Sequence, residues 1–140
     1  MIRHSKLPDN IISLLPAAET YLNSREDVLF AYLFGSIVKR KIAPLSDIDI
    51  AVYLSVDSRL HIRKMEILGE LTGLLHTDEI DLVVLNSAPI TLRMKILENK
   101  KVIVDNDPFL RHRYESLVMR EYFDFSIRET AILEGRFLHG

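Results

Sequence analysis

The 140-residue chain contains no cysteine at all. That absence excludes disulfides and cysteine-based zinc sites, and makes the cytoplasm the simplest compartment. Charge of one sign is not in excess either. A net charge of −2 gives no global pull toward nucleic acid, so any anion site must come from local charge. Long hydrophobic runs are missing as well. The N-terminal stretch MIRHSKLPDNIISLLPAAE holds only short apolar runs interrupted by Pro8 and Pro16, which reads as neither a signal peptide nor a membrane span. Internal repeats and low-complexity segments are also lacking.

What remains is ample for a core. Apolar residues make up 48% and charged residues 27% of the chain, which suits one compact domain over residues 1–140 rather than a disordered segment. Residues 9–23 read as a short helix with Ile12, Leu15 and Ala18 or Leu22 on one side. Val28 to Phe34 is a continuous apolar run of strand length, ended by Gly35-Ser36. Pro44 precedes a second strand, Ile48 to Leu54. Residues 59–76 fit a helix with Met65, Leu68, Leu71 and Leu75 as its stripe. A third strand runs from Ile80 to Leu85. Ser87 and Pro89 mark the start of another helix, with Ile90, Met94 and Leu97 at helical spacing. Val102 to Val104 is a short fourth strand. Asp107-Pro108 opens a last long helix, lined on one side by Tyr114, Val118, Tyr122 and Phe125. Helices alternate with strands, so the fold class is α/β: a small mixed sheet flanked by helices, with a long C-terminal helix.

Asp47 and Asp49 head the second strand. Residues i and i+2 of a strand leave the same face, so these carboxylates are neighbours and Ile48 and Ile50 point the other way. Two such acids repel unless a cation or a proton intervenes. Carboxylate oxygens are hard ligands, and Mg²⁺ takes one or two of them together with substrate phosphates. Read alone, Asp-x-Asp at a strand start is more often just a turn with solvated acids. Gly35-Ser36, between a strand and a turn, offers a close backbone approach and N–H donors to a phosphate. Lys39, Arg40 and Lys41 lie in the following loop and could screen a triphosphate. Asp81 sits within the apolar run DEIDLVVL, where an acid costs stability unless it is paired, ligates a metal or faces water from a strand edge. Asp78 and Glu79 read as ordinary loop acids. The five histidines read as surface or structural, and Arg111, Arg113 and Arg120 as a solvated face.

Gly35-Ser36, ten intervening residues and then Asp47-x-Asp49 resemble the signature of the nucleotidyltransferase superfamily that includes DNA polymerase beta. Four fixed positions of this kind recur by chance in about one chain of this length in a thousand. The small size resembles the minimal, MNT-type members, many of which are antitoxins paired with a HEPT-domain toxin. The resemblance runs from about Val28 to Val104, a polymerase beta-like core followed by a C-terminal helical segment at about 107–137. It implies ATP as donor and a tyrosine hydroxyl of the toxin as acceptor, with one or more AMP groups transferred and the toxin silenced. It also implies that Gly35, Ser36, Lys39 and Ser46 hold the nucleotide, and that Asp47, Asp49 and Asp81 bind two Mg²⁺ ions. Asp81 is implied as a ligand of the catalytic metal and as a candidate base. A hetero-oligomer with the toxin is implied, and neither a membrane nor a nucleic acid is expected as partner. Two alternatives stay open: an antitoxin acting by contact, its nucleotide site vestigial, and a small-molecule nucleotidyltransferase of the aminoglycoside-modifying kind. The latter enzymes usually carry a further helical domain, for which the stretch after Val104 is short.

Overall fold

The structure, a computed structural model, describes residues 10–38, 47–55 and 59–139, with side chains through residue 135. The elements are α1 (Ile11–Ser24), β1 (Val28–Phe34), a 3-10 turn (Gly35–Ile37), β2 (Ile48–Leu54), α2 (Leu60–Leu75), β3 (Ile80–Val84), α3 (Ile90–Glu98), β4 (Lys101–Asp105) and α4 (Pro108–His139). The four strands form one mixed sheet in the order β3-β2-β1-β4. β1 runs antiparallel to both β2 and β4, while β2 and β3 are parallel, with α2 as their crossover. β3 therefore lies at one edge.

Strand alternation sorts the core into two layers. Ile48, Ile50, Val52 and Leu54 of β2 face α1 and α2, where Leu22, Ile67 and Leu71 are fully buried. Ala51 and Tyr53 leave the other face and meet Phe30, Ile96, Tyr114 and Val118 beneath α3 and α4. There Phe30 stacks on Tyr53 with centroids 4.8 Å apart, and both rings tilt against Tyr114 at 5.3 Å. Each large side chain so buried contributes about 1.5–3 kcal/mol.

Several helix faces differ from their sequence reading. In α1 the buried residues are Ile11, Ala18 and Leu22, whereas Ile12 is 58% exposed. In α2 they are Arg63, Ile67, Leu71 and Leu75, and Met65 points to solvent. Both helices carry apolar residues on more than one side, so periodicity leaves the docking angle open, and contact with the sheet selects the stripe. α3 starts where Ser87 and Pro89 mark it, with Pro89 as its cap and Ile96 as its buried residue. α4 begins as expected, with Asp107 Oδ1 accepting the Leu110 N–H at 3.1 Å. Tyr114 and Val118 are buried, but Tyr122 and Phe125 lie beyond the sheet and remain only half-buried, 6.3 Å apart.

Two ion networks tie the layers together. Arg111 is not solvated. It holds Asp105 through two hydrogen bonds, at 2.9 and 3.1 Å, and reaches Glu115 at 3.2 Å. The Tyr32 hydroxyl donates to Glu115 at 2.8 Å. Burial, followed by the Glu115 carboxylate, pushes the Tyr32 phenol well above its ordinary value. On the opposite layer Arg25 grips Asp27 through two 2.8 Å hydrogen bonds. Arg63 reaches Asp27 at 3.4 Å and donates to the Ser55 carbonyl at 2.7 Å.

The Arg25 hydrogen bond, working against desolvation, holds the Asp27 carboxyl below the usual carboxylate range. A group whose folded value is depressed stabilises the fold above its unfolded value, near pH 4, and loses that contribution as pH falls through the folded value. Asp27→Asn removes the carboxylate that pairs the half-buried Arg25 and the buried Arg63. It is expected to cost about 2–3 kcal/mol at neutral pH, below the range for fully buried pairs because Asp27 keeps some solvent contact. The gap between wild type and variant should close on acidification below about pH 4. Urea denaturation across that pH range measures it, and an unchanged gap would contradict the assignment.

Candidate active site

The end of β1 and the start of β2 are adjacent because the strands pair antiparallel, Phe34 opposite Asp49. Gly35 follows at once, with φ of +76°, a left-handed conformation that L side chains rarely adopt. A Cβ at this position would run into Asp49 Oδ2 and lie 2.9 Å from its Cγ. The Asp49 carboxylate thus occupies the space that a side chain at position 35 would take. The chain then closes a 3-10 turn, Val38 N–H donating to the Gly35 carbonyl, with Ile37 buried as its anchor. Ser36 is half-buried at the middle of this turn.

The third acid is placed by a separate device. α2 ends on His76 with φ of +55°, and the Glu79 N–H donates to Thr77 Oγ1 at 3.1 Å. The Glu79 carbonyl then accepts the Ile48 N–H at 2.9 Å, the first rung of the parallel pairing. This rung sets Asp49 directly opposite Asp81 in register. Core membership agrees: Leu82 and Val84 face α1 and α2 with Ile48 and Ile50, while Val83 joins Ala51 and Tyr53 on the other face. Asp81 therefore shares a face with Asp49, and with Asp47 two residues earlier. Glu79, expected as a loop acid, is buried at the head of β3.

Asp47 and Asp49 are half-buried, and neither is without a partner. Asp81 is exposed because β3 is an edge strand, so its burial cost is smaller than an interior strand would impose. It lines a cavity of about 510 Å³ with His61 and Lys64 of α2 and Leu92 of α3. No sequence signal singles out His61 or Lys64; the crossover geometry brings them to the cavity that Asp81 lines. Lys39, Arg40, Lys41 and Ser46 fall outside the described residues.

Among the described residues, no three His, Cys, Asp or Glu side chains converge closely enough to hold a metal ion by themselves. The donor set nonetheless suits Mg²⁺. Asp49 and Asp81 supply hard oxygens from adjacent strands on one face, and this ion commonly completes its octahedron with water and substrate phosphates. Among the described residues no helix is long and apolar enough to cross a membrane.

Comparisons with known proteins bear on the family and the fold. No curated protein gives a significant sequence match. Among solved structures, a chain of a toxin-antitoxin complex crystallised with AMP-PNP is 25% identical, with a TM-score of 0.68 over 92% of this chain and 97% of its own. A mutant of the MntA-HpeT toxin-antitoxin pair is 26% identical, with a TM-score of 0.66 over 94% of this chain and 99% of its own. A complex of tri-AMPylated Shewanella oneidensis HEPN toxin with MNT antitoxin, 24% identical over 92% of this chain and 94% of its own, shares the fold with a TM-score of 0.61. The family described as polymerase beta, nucleotidyltransferase matches residues 17–109, which span the Gly35-Ser36 turn and all three aspartates. The chain belongs to the polymerase beta nucleotidyltransferase family.

Proposed function

We propose that this chain is an MNT-type antitoxin, a protein adenylyltransferase that moves AMP from ATP to a tyrosine hydroxyl of a partner HEPT (HEPN) toxin. It would work in the cytoplasm as one nucleotidyltransferase domain, with its core at about 28–104 and its helical segment at about 107–137. The observation that carries this reading is the register of Asp81 opposite Asp49, with Gly35 closed against the Asp49 carboxylate. The likeness to a complex crystallised with AMP-PNP supports ATP as donor, and the AMPylated toxin seen with a fold relative supports AMP as the group transferred.

The β- and γ-phosphates rest on the Gly35-Ser36 turn, whose left-handed glycine lets backbone N–H groups approach them. Lys39 and Ser46 complete the proposed set of nucleotide-binding residues. Asp47, Asp49 and Asp81 face the α-phosphate from the neighbouring strand ends. Two bound Mg²⁺ ions on these carboxylates would supply charge neutralisation for the triphosphate and the leaving group. The acceptor hydroxyl enters along the cavity beside Asp81, whose carboxylate takes its proton as the oxygen bonds to the α-phosphorus. The bond to the β-phosphate oxygen breaks in line, and pyrophosphate leaves. Positioning and preorganised charge provide most of the acceleration.

The test is growth rescue. Cells expressing the partner toxin should recover with the wild-type chain. They should not recover with a variant in which Asp47, Asp49 and Asp81 are all alanine, although that variant still folds and still binds toxin. Full rescue by the variant would establish neutralisation by contact instead.

A further inference from the structure

The C-terminal half of α4 carries a surface that its own fold does not use. Tyr114 and Val118 seat the helix on the sheet, and residues 119–139 continue for about 30 Å beyond. Along this extension Met119, Phe123 and Ile127 follow at i, i+4 and i+8, and are 51%, 65% and 52% exposed. Ser126, Ile127, Thr130, Ala131 and Glu134 line a shallow depression of about 310 Å³ on the same stretch of the helix.

We infer that this ridge is a homodimer seam, its occupant a second copy of the chain running antiparallel about a twofold axis at Ile127. Residues seven apart share one side of a helix, so Arg120, Ile127 and Glu134 lie on a common line. About Ile127, an antiparallel copy sets Phe123 over the second copy's Ala131, so a bulky residue meets a small one. Phe123 then fills the depression. The same axis brings Arg120 against the second copy's Glu134, and both are exposed in the single chain. A surface whose bulky residue fits its own small one, and whose cation fits its own anion, is complementary to itself, as a twofold interface requires. One helix pair buries less than the roughly 800 Å² per partner of a standard interface, so dissociation is expected in the micromolar range.

The absence of cysteine makes the test direct. Ile127→Cys places thiols on the axis, and mild oxidation of the full chain should give a disulfide-linked dimer. Ile132→Cys, equally exposed but on another side of the helix, should give far less. In sedimentation equilibrium Arg120→Glu should weaken dimerisation at least tenfold, and adding Glu134→Arg should restore it. A chain that stays monomeric throughout the micromolar range, or cross-links equally at both cysteines, overturns the inference. So does a Phe123→Glu variant that keeps its own association state but loses affinity for a HEPN toxin, which would assign the ridge to the toxin. None of these outcomes depends on AMP transfer, so they stand or fall apart from the proposed activity.

Discussion

Asp49→Asn is expected to reduce AMP transfer to a partner toxin by a factor of about 10³ or more, the scale of removing one preorganised electrostatic group from a reaction site. Asparagine has the same shape, so the approach of Gly35 to residue 49 survives. What disappears is the negative charge shared with Asp47 and Asp81 on one face of the sheet. Without it, divalent ions lose a hard oxygen between the two strands. Removing one of three like charges also relieves repulsion, so the fold should keep its stability within about 1 kcal/mol. Radiolabel transfer from α-labelled ATP measures the first quantity and thermal unfolding the second. Transfer at the wild-type rate would show that the Asp49 carboxylate has no part in the chemistry.

Gly35→Ala attacks the same carboxylate from the other side, and it should damage both stability and activity. The added methyl runs into Asp49 Oδ2 and lies 2.9 Å from Cγ, so the aspartate or the turn must move. The backbone at φ of +76° adds a penalty of about 1–2 kcal/mol for any L side chain. Together a loss of about 2–4 kcal/mol is expected. A displaced carboxylate should also lower transfer about a hundredfold, since misplacements near 1 Å are that costly in a positioned site. Gly73→Ala is the matched control. No atom lies within 4 Å of its prospective Cβ, and the residue sits inside α2, so alanine there should leave stability unchanged or raise it by up to about 1 kcal/mol. Equal effects at both positions in denaturant unfolding would contradict the close packing described here.

How much of this was legible in the residues depends on how local each determinant is. β1 and β2 match their sequence reading at both ends, because an apolar run and a Gly-Ser stop define one, and alternation beginning at Asp47 defines the other. The common face of Asp47 and Asp49 follows from the period of a strand alone. The position of Asp81 does not. It depends on the left-handed turn at His76 and the Glu79–Ile48 rung, which fix the register between strands far apart in sequence. Its exposure follows from β3 taking the sheet edge, which no local pattern encodes. The stripes legible in α1 and α2 hold the buried Ala18, Leu22, Leu71 and Leu75 but also the exposed Ile12 and Met65, because several faces are apolar and the sheet chooses among them. Arg111 reads as a surface cation in the sequence because its partners Asp105 and Glu115 come together only when α4 folds back on β4. His61 and Lys64 come to line the same cavity as Asp81 through the same kind of long-range packing.

The central claim is that three aspartates from two strands, beside a glycine-led turn, serve transfer of AMP to a protein hydroxyl. Intact-mass measurement of the partner HEPN toxin after incubation with this chain, ATP and Mg²⁺ tests it most directly. The account predicts a toxin heavier by one or more AMP units, with the added mass on tyrosine. A toxin whose mass is unchanged, although the two chains bind each other, would contradict it.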